Sequence, residues 1–583
     1  MEENRNFIMA IVLTIVILFG WEYFYSSPQR DAQEQVLAEQ AATEEVAGIP
    51  DMAAADVSDG GIPGMAAAVI KEVSESREGV IASRNNIIVD SPRLIGTISL
   101  KGLRFDDLAL KDYRETVEPD SALVKVLNPS EAFEAYFADF GWIGDGKKPD
   151  NSSVWSASNT VLTVDQSIIF TWDNGEGLLF TREVSLDKDY MFTVKQRVDN
   201  NSSETVSMAT YGRVYREGGE GQGLFILHEG PLRVGDEGKE EITFEDIKDA
   251  DADEYPRDEV TGGGWVGITD KNWLVALVPN QDENFATNVS QTSQNGGQQF
   301  HVNFATNRAA IAPGSSLEKT ARFFAGAKEV DLLDHYTEVE GIKMFDYAID
   351  WGWFHFITKP IYIGLHFFYG IVGNFGVAIL LLTVVIKGFL FPMANKQYES
   401  MGKMKLLQPK MQKLKEKYGE DKARMQQETM KLYKDEKVNP LASCLPIFIQ
   451  IPIFFSLYKV LYVTIDMRHA PFYGWIKDLS APDPMLVTNL FGLIPWEPTG
   501  FLALGILPIF MGFTMYIQQK LNPPMADPIQ RKIFAFMPVM FTFILAGFSV
   551  GLVIYWTWNN ILTICQQWVI MRRVEAKTNS QGD

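Results

Sequence analysis

Residues 377–393 read VAILLLTVVIKGFLFPM, an apolar run of bilayer length with one charge, Lys387, set inside it. An ammonium at the centre of a spanning helix costs roughly 2.5 to 3.5 kcal/mol on insertion scales, so a lysine kept there is a candidate functional residue. The bland alternative is snorkelling: Lys387 lies about two turns before Asn395, and its stem reaches toward the interface. Thr383 stands four residues earlier and shares its helix face.

Directly after this run, Lys396, Lys403, Lys405, Lys410, Lys413, Lys415, Lys417, Lys422, Arg424, Lys431, Lys434 and Lys437 crowd one connecting segment. Such an excess of Lys and Arg marks a cytoplasmic loop. Lys520, Arg531, Lys532, Arg572 and Arg573 fall on the same side after further apolar runs. The segment 464–499 holds only Arg468 and Lys477 beside Asp466, Asp478, Asp483 and Glu497, and belongs on the opposite side. The expected spans are 1–25, 370–393, 441–463, 501–519, 533–549 and 550–570, with both termini cytoplasmic. Between them lie a cytoplasmic helical hairpin (396–440), a periplasmic loop (464–499), a cytoplasmic loop (520–532) and a cytoplasmic tail (571–583). An aromatic-rich segment, 345–368, reads as an interfacial amphipathic helix over 345–358 that ends at Pro360.

In the hairpin Met404, Leu407, Met411, Leu414 and Tyr418 repeat at 3–4 spacing, and Pro409 should start or kink the first arm. A solvated connector would show the same pattern. A docking arm that presents methionines beside Lys413 and Lys417 to incoming polypeptide is the functional reading, because methionine adapts to varied apolar sequences.

Averaged over 583 residues, 46% hydrophobic content and a net charge of -22 resemble a soluble protein only because unlike parts are pooled. The acidity argues against nucleic acid as a partner. Residues 26–80 are rich in Ala, Glu, Gly and Pro and read as a flexible acidic linker. Residues 81–340 show short alternating runs between turn signals: LIGTISL (94–100), SIIFTW, DNGEG and LLFTREVSL around Asp173, MFTVKQRV (191–198), WLVALVP (273–279) and FHVNFA (300–305). That spacing predicts a large antiparallel β sandwich on the periplasmic side. Cys444 and Cys565 both fall in expected spans, so neither a disulfide framework nor a metal cluster is available.

Enzyme motifs fail on context. Gly141 to Lys147 has phosphate-loop spacing, but Lys148 replaces the Ser/Thr and Pro149 follows where a helix should begin. Gly547-Phe-Ser549-Val-Gly551 matches a nucleophile elbow, yet no histidine follows His469. It reads as a helical-hairpin turn. No cofactor is expected.

Polar groups recur in the spans: Gln450, Gln518, Gln519, Asn559, Asn560, Gln566 and Gln567, near Tyr555 and Trp556. If their faces converge with Thr383 and Lys387, the membrane holds a wet, cationic cavity. Glutamines near span ends are more often interfacial, and a lone tryptophan is more often packing.

The ordered set KGFLFPMANKQYESMGKMKLLQPKMQKLKEKYG, VNPLASCLPIFIQIPIFFSLYKVL, DLSAPDP, MADPIQRKIFAFMPVMFTF and SVGLVIYWTWNNILTICQQW resembles the YidC-type membrane protein insertases of the Oxa superfamily, over essentially all of 345–573. The anchor and the β domain resemble the form with a large periplasmic domain, which is similar to the sugar-mutarotase sandwich. The resemblance implies a five-helix core around a hydrophilic groove that opens to cytoplasm and lipid. In it Lys387 takes a position commonly held by arginine. Such a departure keeps the charge but loses the bidentate fork. Thr383, Gln518 or Gln519, and Trp556 match further groove positions; Ile451, Phe454 and Ile544 match an apolar exit path for substrate helices. The implied partners are nascent membrane proteins, the lipid bilayer, the SecYEG translocon with accessory Sec proteins, and ribosome or targeting receptor at the cytoplasmic loops. The implied location is the bacterial inner membrane, and the implied activity needs no nucleotide.

Two other classes carry distinct signals. A secondary transporter also uses intramembrane lysines but normally shows inverted repeats, and this chain has no internal repeat. A membrane-tethered carbohydrate-binding protein rests on fold analogy alone.

Overall fold

The computed structural model describes residues 76–218, 227–249, 258–294, 297–352, 354–418, 421–436, 445–496, 498–522 and 528–579. The expected anchor, nearly all of the expected linker and Cys444 lie outside the described residues.

Alternation builds the sandwich. Strand Leu178–Leu186 buries every second residue, Leu178 through Leu186, and pairs antiparallel with Met191–Asn200, where Phe192 faces Leu186. The DNGEG turn joins Ile168–Asp173 to Leu178–Leu186 as expected. Asn174 Oδ1 accepts from the N–H groups of Glu176 and Leu178, and Gly175 and Gly177 supply the positive φ (74° and 94°) that the turn needs. Two sheets result, of eleven and nine strands. Phe105 and Phe140 from the first meet Phe192 and Phe323 from the second, with Phe105 5.3 Å from Phe192 and 5.1 Å from Phe323. The sandwich departs from the antiparallel expectation at one edge, where Asn86–Asp90 pairs in parallel with Val161–Leu162. The long excursion between them lets the chain return in the same direction.

A polar layer lies in the first sheet. Arg213 and Asp139, on paired strands, form a buried bidentate ion pair. His301, on the next strand, is buried beside them, and desolvation with the neighbouring Arg213 charge pushes its pKa down to about 4. Gly141 lies within strand Tyr136–Gly144, so the phosphate-loop spacing has no loop around it.

Three helices accompany the sandwich: α1 (Arg77–Ser83), α2 (Phe244–Asp249) and α3 (Val330–Glu338). Below α3, a turn at Phe345–Ala348 places Phe345 5.2 Å from Trp265 and 5.4 Å from Phe324. One apolar cluster continues from there through Trp351 into Leu365, Ile379, Leu461 and Tyr555 of the helical part. Polar contacts fasten the same junction: Lys359 to Asp334 at 3.0 Å, Lys459 to Asp350 at 2.5 Å, and the Arg468 guanidinium 5.4 Å over Trp273.

The helical part comprises α4 (His355–Val372), α5 (Phe375–Phe389), α6 (Phe391–Leu406), α7 (Gln408–Tyr418), α8 (Lys422–Asp435), α9 (Leu445–Val463), α10 (Ile506–Leu521), α11 (Pro528–Ile544) and α12 (Val550–Asn579). Several expected bounds need correction. The interfacial helix does not run over 345–358 and does not end at Pro360: α4 starts at His355 and passes through that proline to Val372. Burial of Ile361, Tyr362 and Leu365 against α5 and α9 outweighs the single backbone bond that Pro360 forfeits. Gly373, at φ 65°, ends it, and Asn374 caps α5 by accepting from Val377 N–H.

The expected span 370–393 breaks at Leu390. Pro392 has no N–H to continue the ladder and constrains the residue before it, so α6 leaves α5 at 67°. Within the expected hairpin 396–440, the described residues form the end of α6 and the pair α7–α8, with α7 beginning beside Pro409, while 419–420 and 437–440 lie outside the described residues. The last helix is not confined to 550–570 but continues to Asn579, and the loop after α9 extends to 505. Among the described residues no single helix is long and apolar enough to cross a membrane; α5 and α6 pass that test as a bent pair.

Candidate functional site

Helix α12 is the hub: α5, α6, α9 and α10 all pack on it. Its start is fixed by the loop 464–505, since free N–H groups at a helix N-terminus need acceptors. Val550 N–H donates to the Ala481 carbonyl (2.8 Å) and Gly551 N–H to the Leu479 carbonyl (3.0 Å). The Gly547 to Gly551 stretch is the turn that delivers α11 into α12, as expected for a hairpin.

From this anchored start, Trp556, Asn559, Asn560, Thr563, Gln566 and Gln567 recur at 3–4 spacing and form a polar row along an otherwise apolar helix. Lys387 of α5 reaches this row, donating from Nζ to Thr563 Oγ1 at 2.8 Å. Thr563 in turn donates to the Asn559 carbonyl at 2.7 Å. Among the described residues no carboxylate pairs with Lys387, so its charge rests on a hydroxyl.

The other expected groove residues divide. Asn560 is buried and donates from Nδ2 to Thr514 Oγ1 of α10 at 3.2 Å. Gln450 donates to the Tyr555 hydroxyl at 2.7 Å. Trp556 packs edge-on to Phe454 at 4.5 Å and against Phe541 at 5.7 Å. Thr383 is buried and donates to the Ile379 carbonyl of its own helix at 2.6 Å, whereas the Lys387 ammonium donates to Thr563. Gln519 donates to the Phe534 carbonyl, and Gln518 is half-buried on the same turn. Gln519 therefore sits at the α10–α11 side of the row. Gln566 Oε1 and Gln567 Oε1 are buried with no hydrogen-bond partner among the described residues.

On the outer surface Ile451 and Ile544 are exposed, in company with Phe455, Met540 and Phe543, while Phe454 turns inward to Trp556. In the basic segment Met404 and Leu407 face the protein, Met404 against Tyr398, Met401 and Ile570. Met411 and Leu414 are half-buried, Lys413 and Lys417 are exposed, and Lys410 pairs with Glu436 of the opposite arm at 2.5 Å.

Sequence reasoning missed Thr563 and Thr514, the two hydroxyls that actually meet Lys387 and Asn560. The signal was present: Thr563 completes the 3–4 row begun by Asn559 and Asn560. It also missed Asp483, which is buried and accepts from Trp475 Nε1 (3.0 Å), Met485 N–H (3.0 Å) and Leu507 N–H (2.8 Å).

A large sandwich joined to an apolar helical hub, with a lysine and a row of amides and hydroxyls inside the hub, is the division that the described residues define. The family models agree with that division: "YidC periplasmic domain" matches residues 86–363 and "60Kd inner membrane protein" matches 367–577. The chain belongs to the YidC family of membrane protein insertases, which are not enzymes. It is 44% identical to the membrane protein insertase YidC of Methylorubrum extorquens, over 100% of this chain and 98% of that one, and 45% identical to that of Rhizobium meliloti, over 99% and 97%. With its periplasmic domain, the family places the chain in an inner membrane. Among solved structures, a putative aldose 1-epimerase from Escherichia coli K12 matches 42% of this chain and 99% of its own at 10% identity and a TM-score of 0.27, too low to carry any argument.

Proposed function

We propose that the chain inserts nascent membrane proteins through the seam between α5, α10 and α12, without nucleotide hydrolysis, alone or beside the Sec translocon. The observation that carries this reading is Lys387 held on Thr563, a cation with no carboxylate partner among the described residues, beside a row of amides in an apolar hub. A short hydrophilic tail entering from the cytoplasm finds polar partners there, which lowers the cost of carrying polar groups through hydrocarbon. The following apolar segment leaves along the surface of Ile451 and Ile544 into lipid, and burial of about twenty apolar residues drives the step. The membrane potential favours outward movement of negative charge, so acidic tails gain most from Lys387. In this topology both termini and α7–α8 are cytoplasmic, the sandwich is periplasmic, and α7–α8 captures substrate through Met411, Leu414, Lys413 and Lys417. Ribosome, targeting receptor and accessory Sec proteins would meet the chain at its cytoplasmic and periplasmic surfaces.

The test is reconstitution of the purified chain in liposomes with a short single-span protein and no ATP or GTP, reading the protease-protected fraction against empty liposomes. Protection that depends on the chain supports an autonomous insertase. No gain with an insertion-competent substrate favours a translocon accessory or a transporter.

A further inference from the structure

The loop between α9 and α10 carries a lobe, residues 485–505, that the insertase reading does not use. From Pro484 to Gln519 the sequence contains one charged residue, Glu497. In the lobe Leu490 (52%), Phe491 (51%), Leu493 (81%), Ile494 (42%) and Trp496 (47%) are all exposed. Single exposed apolar residues are ordinary, but five within seven positions form a patch that water disfavours.

The backbone of the lobe closes on itself. Val487 N–H donates to the Leu504 carbonyl, Phe491 N–H to Leu486, Ile494 N–H to Asn489 and Ile506 N–H to Met485. The Asn489 side chain accepts from Gly492 N–H at 2.9 Å and donates to the Trp496 carbonyl at 3.3 Å. Backbone groups that find internal partners lower the cost of seating an irregular segment at the boundary between headgroups and acyl chains. Leu490 and Phe491 adopt positive φ, 52° and 61°, a conformation that non-glycine residues rarely take; the tight turn they make leaves the side chains of Phe491 and Leu493 outside. The base is rigid, because Asp483 clamps both ends of the lobe through Met485 N–H and Leu507 N–H.

We infer that this lobe is a wedge seated in the outer leaflet of the membrane, its occupant phospholipid. Continuity argues for lipid over a protein partner. Phe510 and Phe513 are exposed on α10, the helix that directly follows the lobe, and Trp475, whose Nε1 donates to Asp483 at the base of the lobe, is exposed as well, as headgroup-level aromatic rings are. The inference rests on the reading of α10 as membrane-embedded, and the test separates the two.

The full chain, with Cys444→Ser and Cys565→Ser, receives one nitroxide-labelled cysteine at a time and is reconstituted in nanodiscs of phosphatidylethanolamine and phosphatidylglycerol. Accessibility to oxygen and to a water-soluble nickel chelate then reports depth. Leu493→Cys is expected roughly 5 to 10 Å below the phosphate level, as for interfacial apolar segments, and Lys477→Cys is expected in water. Nickel accessibility at 493 equal to that at 477 overturns the wedge, and exclusion of both probes from 493 overturns it in favour of a second protein copy. Phe513→Cys is expected in hydrocarbon; a water-accessible label there overturns the membrane reading of α10 and the wedge with it.

Discussion

Lys387 Nζ stands 2.8 Å from Thr563 Oγ1, and Thr563 donates its own hydrogen bond to the Asn559 carbonyl, so this cation is tied to the backbone of α12 through a hydroxyl. Lys387→Arg should keep insertion activity, because the charge persists. Lys387→Ala should slow insertion of acidic-tailed substrates about tenfold, the equivalent of roughly 1.4 kcal/mol. Thr563→Val should fall between them. Protease protection in liposomes measures all three, and equal activity of the alanine variant on every substrate would return Lys387 to a snorkelling role.

Asp483 is a buried carboxylate with three donors on it. Asp483→Ala should destabilise the detergent-solubilised chain by roughly 3 kcal/mol, since hydrogen bonds to a charged group are individually strong and three donors lose their acceptor. Asp483→Asn should retain part of that. Thermal unfolding followed by tryptophan fluorescence checks the order.

His301 is neutral in the folded sandwich, with a pKa near 4. The unfolded chain takes up a proton near pH 6.5 while the native one does not, so this contribution to stability is complete above about pH 6.5 and is lost as pH falls toward 4, to roughly 3 kcal/mol. Urea titrations of the chain with His301→Gln should show a shallower loss over that window. An unchanged pH profile would remove His301 as the cause.

A Cβ added at Gly512 would come within 2.0 Å of Thr542 Oγ1, which marks a close approach of α10 and α11. Gly512→Leu should pry that pair apart and cost roughly 1 to 3 kcal/mol through overpacking. Gly547→Ala, where a Cβ meets nothing within 4 Å, is the control. Unfolding midpoints in detergent compare the two.

The sandwich was legible because period-2 alternation and turn chemistry are local. WLVALVP became strand Trp273–Pro279 residue for residue, and DNGEG turned where it should. Helix bounds were less legible, since they depend on what packs outside: Pro360 does not stop α4 once Ile361 and Leu365 are buried, whereas Pro392 does break the ladder after Leu390. Lys387 was visible as a charge in an apolar run, but its partner was not. Thr383, four residues away, shares its helix face and donates to Ile379, while Thr563, 176 residues on, accepts from the lysine. Contacts between distant segments carry no local pattern.

The shared apolar cluster at the junction of sandwich and helices also dictates where this chain tolerates shortening. Removal of the sandwich up to residue 333 would keep Asp334 for Lys359, but it would strip Phe345 of Trp265 and Phe324 and leave a bare aromatic stump above the bilayer. A deletion ending at residue 349 keeps Asp350 on Lys459 and Trp351 on Tyr362, and discards Phe345 together with its neighbours. Of two truncations that differ by sixteen residues, the shorter protein is the one expected to stay in solution during purification.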